Sequence, residues 1–124
     1  MISHYIFIGC GGALGAMMRV AIGKLLPISI LGVSSQILFV NILGCFIIGL
    51  FSEIMALYGS ISENMKYFLI SGFLGGFTTF SAFILEFGLF IEKNEYVLAL
   101  AYAFFSVFLC VVGFFTAIRI VRLF

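Results

Sequence analysis

The chain has 124 residues, of which 65% are hydrophobic and 9% charged; it holds five Glu and no Asp. Soluble domains carry about 25% charge, so the composition excludes a water-soluble globular protein and indicates an integral membrane protein. The formal net charge is +1, and no basic run suggests a nucleic-acid partner.

The start "MISHYIFIGCGGALG" lacks a positive n-region, and its apolar stretch runs on too long for a signal peptide. Charges and turn residues then divide the chain into four apolar spans, at about 5–26, 28–51, 67–91 and 96–118, each of at least 22 residues. About 20 helical residues cross a hydrocarbon core of ~30 Å. Barrel strands would be half as long and would alternate. The expected fold is all-α: one four-helix transmembrane domain over 1–124. No soluble catalytic domain fits, and the chain is not read as an enzyme.

In the first span Gly9, Gly12, Ala13 and Ala16 form a small face suited to close helix approach. Arg19 sits about one and a half turns from the span end, within snorkelling reach of the interface. It reads as an anchor or the pair of a carboxylate; a sharper reading has it drawing anions to a pore mouth. His4, the only histidine, reads as interfacial, and Pro27 tightens the first turn.

The second span carries "SSQILFVNILGCF", with Asn41 near its middle. Asparagine at that depth joins helices, contributing about 1 kcal/mol, or it offers an amide N–H to an anion. The stretch "YGSISENMK", 58–66, is the only connection of any size, with Ser62 placed to cap the third helix.

The third span holds "GFLGGFTTFSAF", 72–83. Glycine weakens a helix by about 1 kcal/mol relative to alanine. Gly72, Gly75 and Gly76 followed by Thr78, Thr79 and Ser81 therefore predict a helix broken near its middle. Such breaks are tolerated at membrane depth where the backbone is buried in protein or lines a cavity, and the freed carbonyls suit a cation. A GxxxG-type contact through Gly72 and Gly76 is the other reading, compatible with the first. Beyond the break Phe80, Phe83 and Glu86 share one helical face. A phenylalanine ring has an electropositive edge. Two such edges turned inward make a weak, dry anion site, and conduction needs weak binding.

The fourth span places Tyr102, Ser106 and Cys110 on one face at i, i+4 and i+8. Tyr102 lies about two turns inside, where its hydroxyl needs a partner, whereas Tyr5, Tyr58, Tyr67 and Tyr96 fall at span ends like an aromatic belt. Cys10, Cys45 and Cys110 lack metal-ligand spacing and read as small buried residues.

With four spans, both termini share a side with the 58–66 connection. That side carries Lys66, Arg119 and Arg122; the other carries Arg19, Lys24 and Lys93. The lysine and arginine bias that orients membrane proteins is nil. Two copies could insert in opposite directions and pair; a weak preference that this count misses is the alternative.

Three segments together resemble the Fluc (CrcB) family of fluoride channels. "GCGGALGAMMR" is similar to its Gly-rich first helix, "FVNILGCFIIG" to its VNxxGSFxxG motif and "GFLGGFTTFSAFILE" to its GFxGGxTTFSTFxxE signature. The resemblance covers nearly the whole chain. It implies an antiparallel, dual-topology homodimer with two fluoride pores in a bacterial-type inner membrane. It also implies a structural Na+ held by backbone carbonyls of Gly75 and Thr78 from both subunits. Phe80 and Phe83 match the pore phenylalanines, and Asn41 the pore asparagine. Glu86, Tyr102 and Ser106 match a polar track for fluoride, Thr79 and Ser81 of the signature are taken as hydroxyls of the fluoride pore, and Arg19 matches the family arginine. The sequence departs from the family at Ile37, Cys45, Ala82, Ile84 and Cys110, where hydroxyl residues are usual or would extend the track.

The competing reading is a small four-helix, dual-topology, proton-coupled exporter of drugs or cations. Such a protein would want a membrane-embedded carboxylate in its first span, which holds none.

Overall fold

The computed structural model describes residues 1–59 and 61–124. Four helical runs are long and apolar enough to cross a membrane: α1 (Ile2–Leu25), α2 (Gln36–Tyr58), a third run over Glu63–Glu92, and the last over Tyr96–Leu123. At 1.5 Å per residue the shortest is about 35 Å long, more than the hydrocarbon thickness. The spans are thus all helical, and the chain is a multi-pass integral membrane protein. The predicted connection at 58–66 includes residue 60, which lies outside the described residues.

The second span does not start at residue 28. Residues 28–35 instead form a small hairpin, β1 (Ser29–Ile30) against β2 (Val33–Ser34), with Ser29 opposite Ser34 and Ile30 opposite Val33. Leu31 and Gly32 turn it at φ 47° and 81°, both in the left-handed region that two-residue hairpin loops use. Gly32 takes that conformation at no steric cost. Hydropathy alone could not separate this segment from the helix, because Ile28, Ile30, Leu31 and Val33 are as apolar as the span they precede. The hairpin is tied down from two directions. Lys93 Nζ donates to the Leu31 carbonyl at 3.2 Å. Buried Val33 packs in one cluster with Ile37, Phe83, Phe90, Ala99 and Tyr102.

The third run changes character along its length. A short helix, α3 (Glu63–Lys66), is capped by Ser62, whose Oγ accepts the Met65 N–H at 3.3 Å as expected. A π-helical stretch follows over Tyr67–Leu74, with Gly75 N–H reaching back to the Ile70 carbonyl. One further turn, α4 (Gly75–Phe77), leads into Thr78 and Thr79, both extended at φ −83°, ψ 155° and φ −156°, ψ 128°. Helix resumes as α5 (Phe80–Glu92), and α6 (Tyr96–Leu123) completes the chain.

The spans pack as two pairs, α1 with the third run and α2 with α6. The α1 contact uses Gly11 and Gly15, which are buried, while Gly9 and Ala13 of the anticipated small face are exposed. A Cβ on Gly15 would overlap the Phe73 carbonyl, and one on Gly76 would overlap that of Gly12. The backbones meet without side chains between them, the arrangement that small-xxx-small sequences permit. The predicted role of Gly76 in close packing is therefore realised within one chain. Along the other pair, Glu53 near the end of α2 meets Arg122 near the end of α6 at 2.6 Å.

Candidate functional site

Where Thr78 and Thr79 leave the helical path, their backbone groups need new partners, because no water serves them in a bilayer. Asn41 of α2 supplies two. Its Nδ2 donates to the Thr79 carbonyl at 3.0 Å, and its Oδ1 accepts the Thr79 N–H at 2.9 Å. One side chain thus replaces a helical turn. A continuous helix would have directed the Thr79 N–H to the Gly75 carbonyl. Thr78 closes the preceding turn, its N–H and Oγ1 each bonding the Leu74 carbonyl at 2.9 Å. Thr79 opens the next, its Oγ1 accepting the Ala82 N–H at 3.3 Å and meeting Ser81 Oγ at 3.1 Å. The helix-joining reading of Asn41 therefore holds. Of the two amide hydrogens on Nδ2, one is committed to Thr79 and the other has no hydrogen-bond partner among the described residues.

Glu86 lies about two turns along α5 from this junction in the direction of the hairpin, and it is buried. An unpaired carboxylate in a low-dielectric interior is costly. Here one oxygen accepts the Ile37 backbone N–H at 3.4 Å and the other accepts the Tyr102 hydroxyl. Ile37 is in the first turn of α2, so the carboxylate also lies where the helix dipole favours negative charge. Tyr102, marked in the sequence as needing a partner, has found one sixteen residues away in the chain.

Phe83 is buried, with its ring centroid 5.5 Å from Tyr102 and 5.4 Å from Phe80. Phe80 is 72% exposed. The two rings share one face, as the spacing indicated, yet occupy different environments. Beside them a groove of about 200 Å³ is lined by Asn41, Phe80, Phe83, Ser106, Val107 and Cys110 among others. Ser106 is buried, and among the described residues its Oγ has no hydrogen-bond partner. A donor of this kind at the wall of a groove is rare enough to need an explanation.

On the other flank of α2, Gly44, Cys45, Gly75 and Thr78 line a second groove. Gly75 is exposed. Arg19 on α1 is half-buried, and among the described residues no carboxylate pairs with it. Ser81 is exposed and bonded only within its own turn.

One arrangement escaped sequence reasoning. The Glu53–Arg122 pair was legible only as a lone acid near one span end and a base near another.

The sequence profile of the family described as "CrcB-like protein, Camphor Resistance (CrcB)" matches residues 6–118. Over 121 residues the chain is 36% identical to a protein of Nitrobacter hamburgensis named fluoride-specific ion channel FluC 2, covering 96% of this chain and 97% of that one. A protein of Rhizobium meliloti named fluoride-specific ion channel FluC is 37% identical over 121 residues, 97% of each chain. A protein of the same name from Thermus thermophilus is 42% identical over 107 residues, 86% of this chain and 85% of that one.

Proposed function

This chain belongs to the CrcB family, and on that footing we propose that it is a passive, fluoride-selective channel of a bacterial-type inner membrane. It is a channel and no enzyme. The observation that carries the reading is the Ser106 hydroxyl, buried and unpartnered at the wall of the groove that Asn41, Phe80 and Phe83 also line. Fluoride is small and tightly hydrated. To leave water it needs replacement donors, and a hydroxyl, a spare amide hydrogen and ring edges are donors of graded strength. The ring edges hold the ion weakly, so that it moves on.

The path runs from the Asn41 and Phe80 level past Phe83 and Ser106 towards Tyr102 and Glu86, with Thr79 and Ser81 hydroxyls at the junction. Arg19 serves as a vestibule charge. Flow needs no nucleotide, since the chain has no GxxxxGK[ST] loop. The gradient and the membrane potential, about 2.3 kcal/mol per charge per 100 mV, drive the anion outward.

The groove beside Phe80 is open on one side, and a second copy in the opposite orientation would close it. We read the extended pair Thr78–Thr79 as the break of the third helix, brought against its counterpart in that antiparallel homodimer. The Gly75 carbonyl has lost its usual amide donor to Asn41, and Gly75 and Thr78 line one groove. Carbonyl oxygens from both copies suit a hard cation, and a structural Na+ is the ion proposed there. It would hold the two breaks in register.

The test is fluoride-electrode recording of efflux from liposomes carrying the purified protein. Fluoride should leave and chloride should stay. Equal permeation by both ions would refute the assignment.

A further inference from the structure

Residues 31–37 form a strap between the hairpin turn and α2, and α5 holds it at both ends. Lys93, the residue that ends α5, donates from Nζ to the Leu31 carbonyl at 3.2 Å. Glu86 accepts the Ile37 backbone N–H at 3.4 Å. The two side chains are seven residues apart, about two helical turns, and so leave one face of the helix.

Each end of the strap depends on that bond. Leu31 is bulky and sits at φ 47°, in the left-handed region where such residues stay only if their surroundings hold them. Its own side chain is mostly exposed. The Lys93 ammonium lies directly over the turn, so close that a Cβ on Gly32 would come within 3.1 Å of Nζ. At the other end, Ile37 is in the first turn of α2, where a backbone N–H has no intrahelical partner. A serine just before a helix normally bonds such an N–H. Ser35 does not, because its Oγ donates to the Val33 carbonyl at 3.1 Å. Glu86 caps the helix in its place. Between its ends the strap is stiff: Ser35 N–H reaches the Ile28 carbonyl at 2.9 Å, Ile30 pairs with Val33, and Val33 and Ser35 are both buried. A shift at Leu31 is therefore carried to Ile37.

We propose that Lys93 is a positioning residue for fluoride passage: by fixing the hairpin it presents the Ile37 N–H to Glu86 at the end of the path. Lys93 is exposed and touches no ion itself. Glu86 also accepts the Tyr102 hydroxyl. If the Ile37 N–H withdraws, one oxygen of a buried carboxylate loses its partner, which is costly, and the carboxylate leaves the position that keeps Tyr102 bonded. The effect on flux rests on the fluoride reading, whereas the mechanical link from Lys93 to Ile37 does not.

The experiment compares purified Lys93→Met and Lys93→Arg with the parent. Hydrogen exchange at the Ile37 amide, followed by NMR in micelles, should quicken several-fold in Lys93→Met. It should match the parent in Lys93→Arg, whose guanidinium still donates to a carbonyl. Fluoride efflux from liposomes should fall several-fold in Lys93→Met and be restored in Lys93→Arg. The fall should persist in a non-permeant salt of about 1 M, where charges are screened within ~3 Å. A loss confined to dilute buffer would make Lys93 a steering charge and overturn the positioning role. Unchanged exchange in Lys93→Met, or faster exchange with full flux, would overturn it as well. A parent that passes no fluoride fails the channel reading, and the exchange result then still decides the link between Lys93 and Ile37.

Discussion

Two residues carry separable roles, and the separation is measurable. Asn41 bonds both backbone groups of Thr79. Its replacement by alanine leaves two polar groups unpaired, at about 1–3 kcal/mol each, so loss of flux there would not distinguish a pore role from misfolding. Ser106 is different. Its hydroxyl makes no bond of full hydrogen-bond geometry among the described residues, so Ser106→Ala removes at most a weak contact with the Tyr102 hydroxyl one turn back. Thermal stability in detergent should hold or rise, while fluoride efflux falls several-fold. A variant with full flux would remove Ser106 from the path. The phenylalanines divide in the same way. Phe83 packs against Tyr102 and is buried, while Phe80 is mostly exposed. Phe80→Ile should suppress flux with little cost to the fold, which makes it the cleaner probe of ring-edge binding.

Among the elements, the α1 contact with the third run depends on absent side chains. A methyl on Gly15 would enter the Phe73 carbonyl, whereas one on Gly9 would meet nothing within 4 Å. Alanine favours helix over glycine by up to about 1 kcal/mol, but overpacking costs about 1–3 kcal/mol. Gly15→Ala should therefore destabilise the protein in a denaturant titration in micelles, and Gly9→Ala should not. If the two variants unfold together, the close backbone approach is wrong. The hairpin between α1 and α2 illustrates a further point about elements. Its apolar residues resemble a helix start by hydropathy, yet the β-branched run and the turn at Leu31 and Gly32 favour a paired strand.

For the whole molecule, the chain buries few of its large apolar side chains, which leaves surface for lipid and for the proposed second copy to cover. Lysine and arginine are balanced three against three across the two sides. With the native cysteines replaced by serine, Glu63→Cys should be labelled by an impermeant thiol reagent from both membrane faces. One-sided labelling would rule out dual topology and, with it, the proposed antiparallel pair.

The residues by themselves determined how many times the chain crosses, because hydropathy sums over neighbours and each span exceeds the bilayer. They also located the glycine–threonine junction and the shared face of Phe83 and Glu86, since local spacing fixes the helical face. Tertiary structure alone decided where the polar groups go. Asn41 meets Thr79 across 38 residues and Glu53 meets Arg122 across 69. Ile37, apolar as a side chain, matters through its backbone N–H. A partner's identity depends on how two helices slide and rotate against each other. That register is set by the glycine contacts of the whole packing, which no local pattern contains.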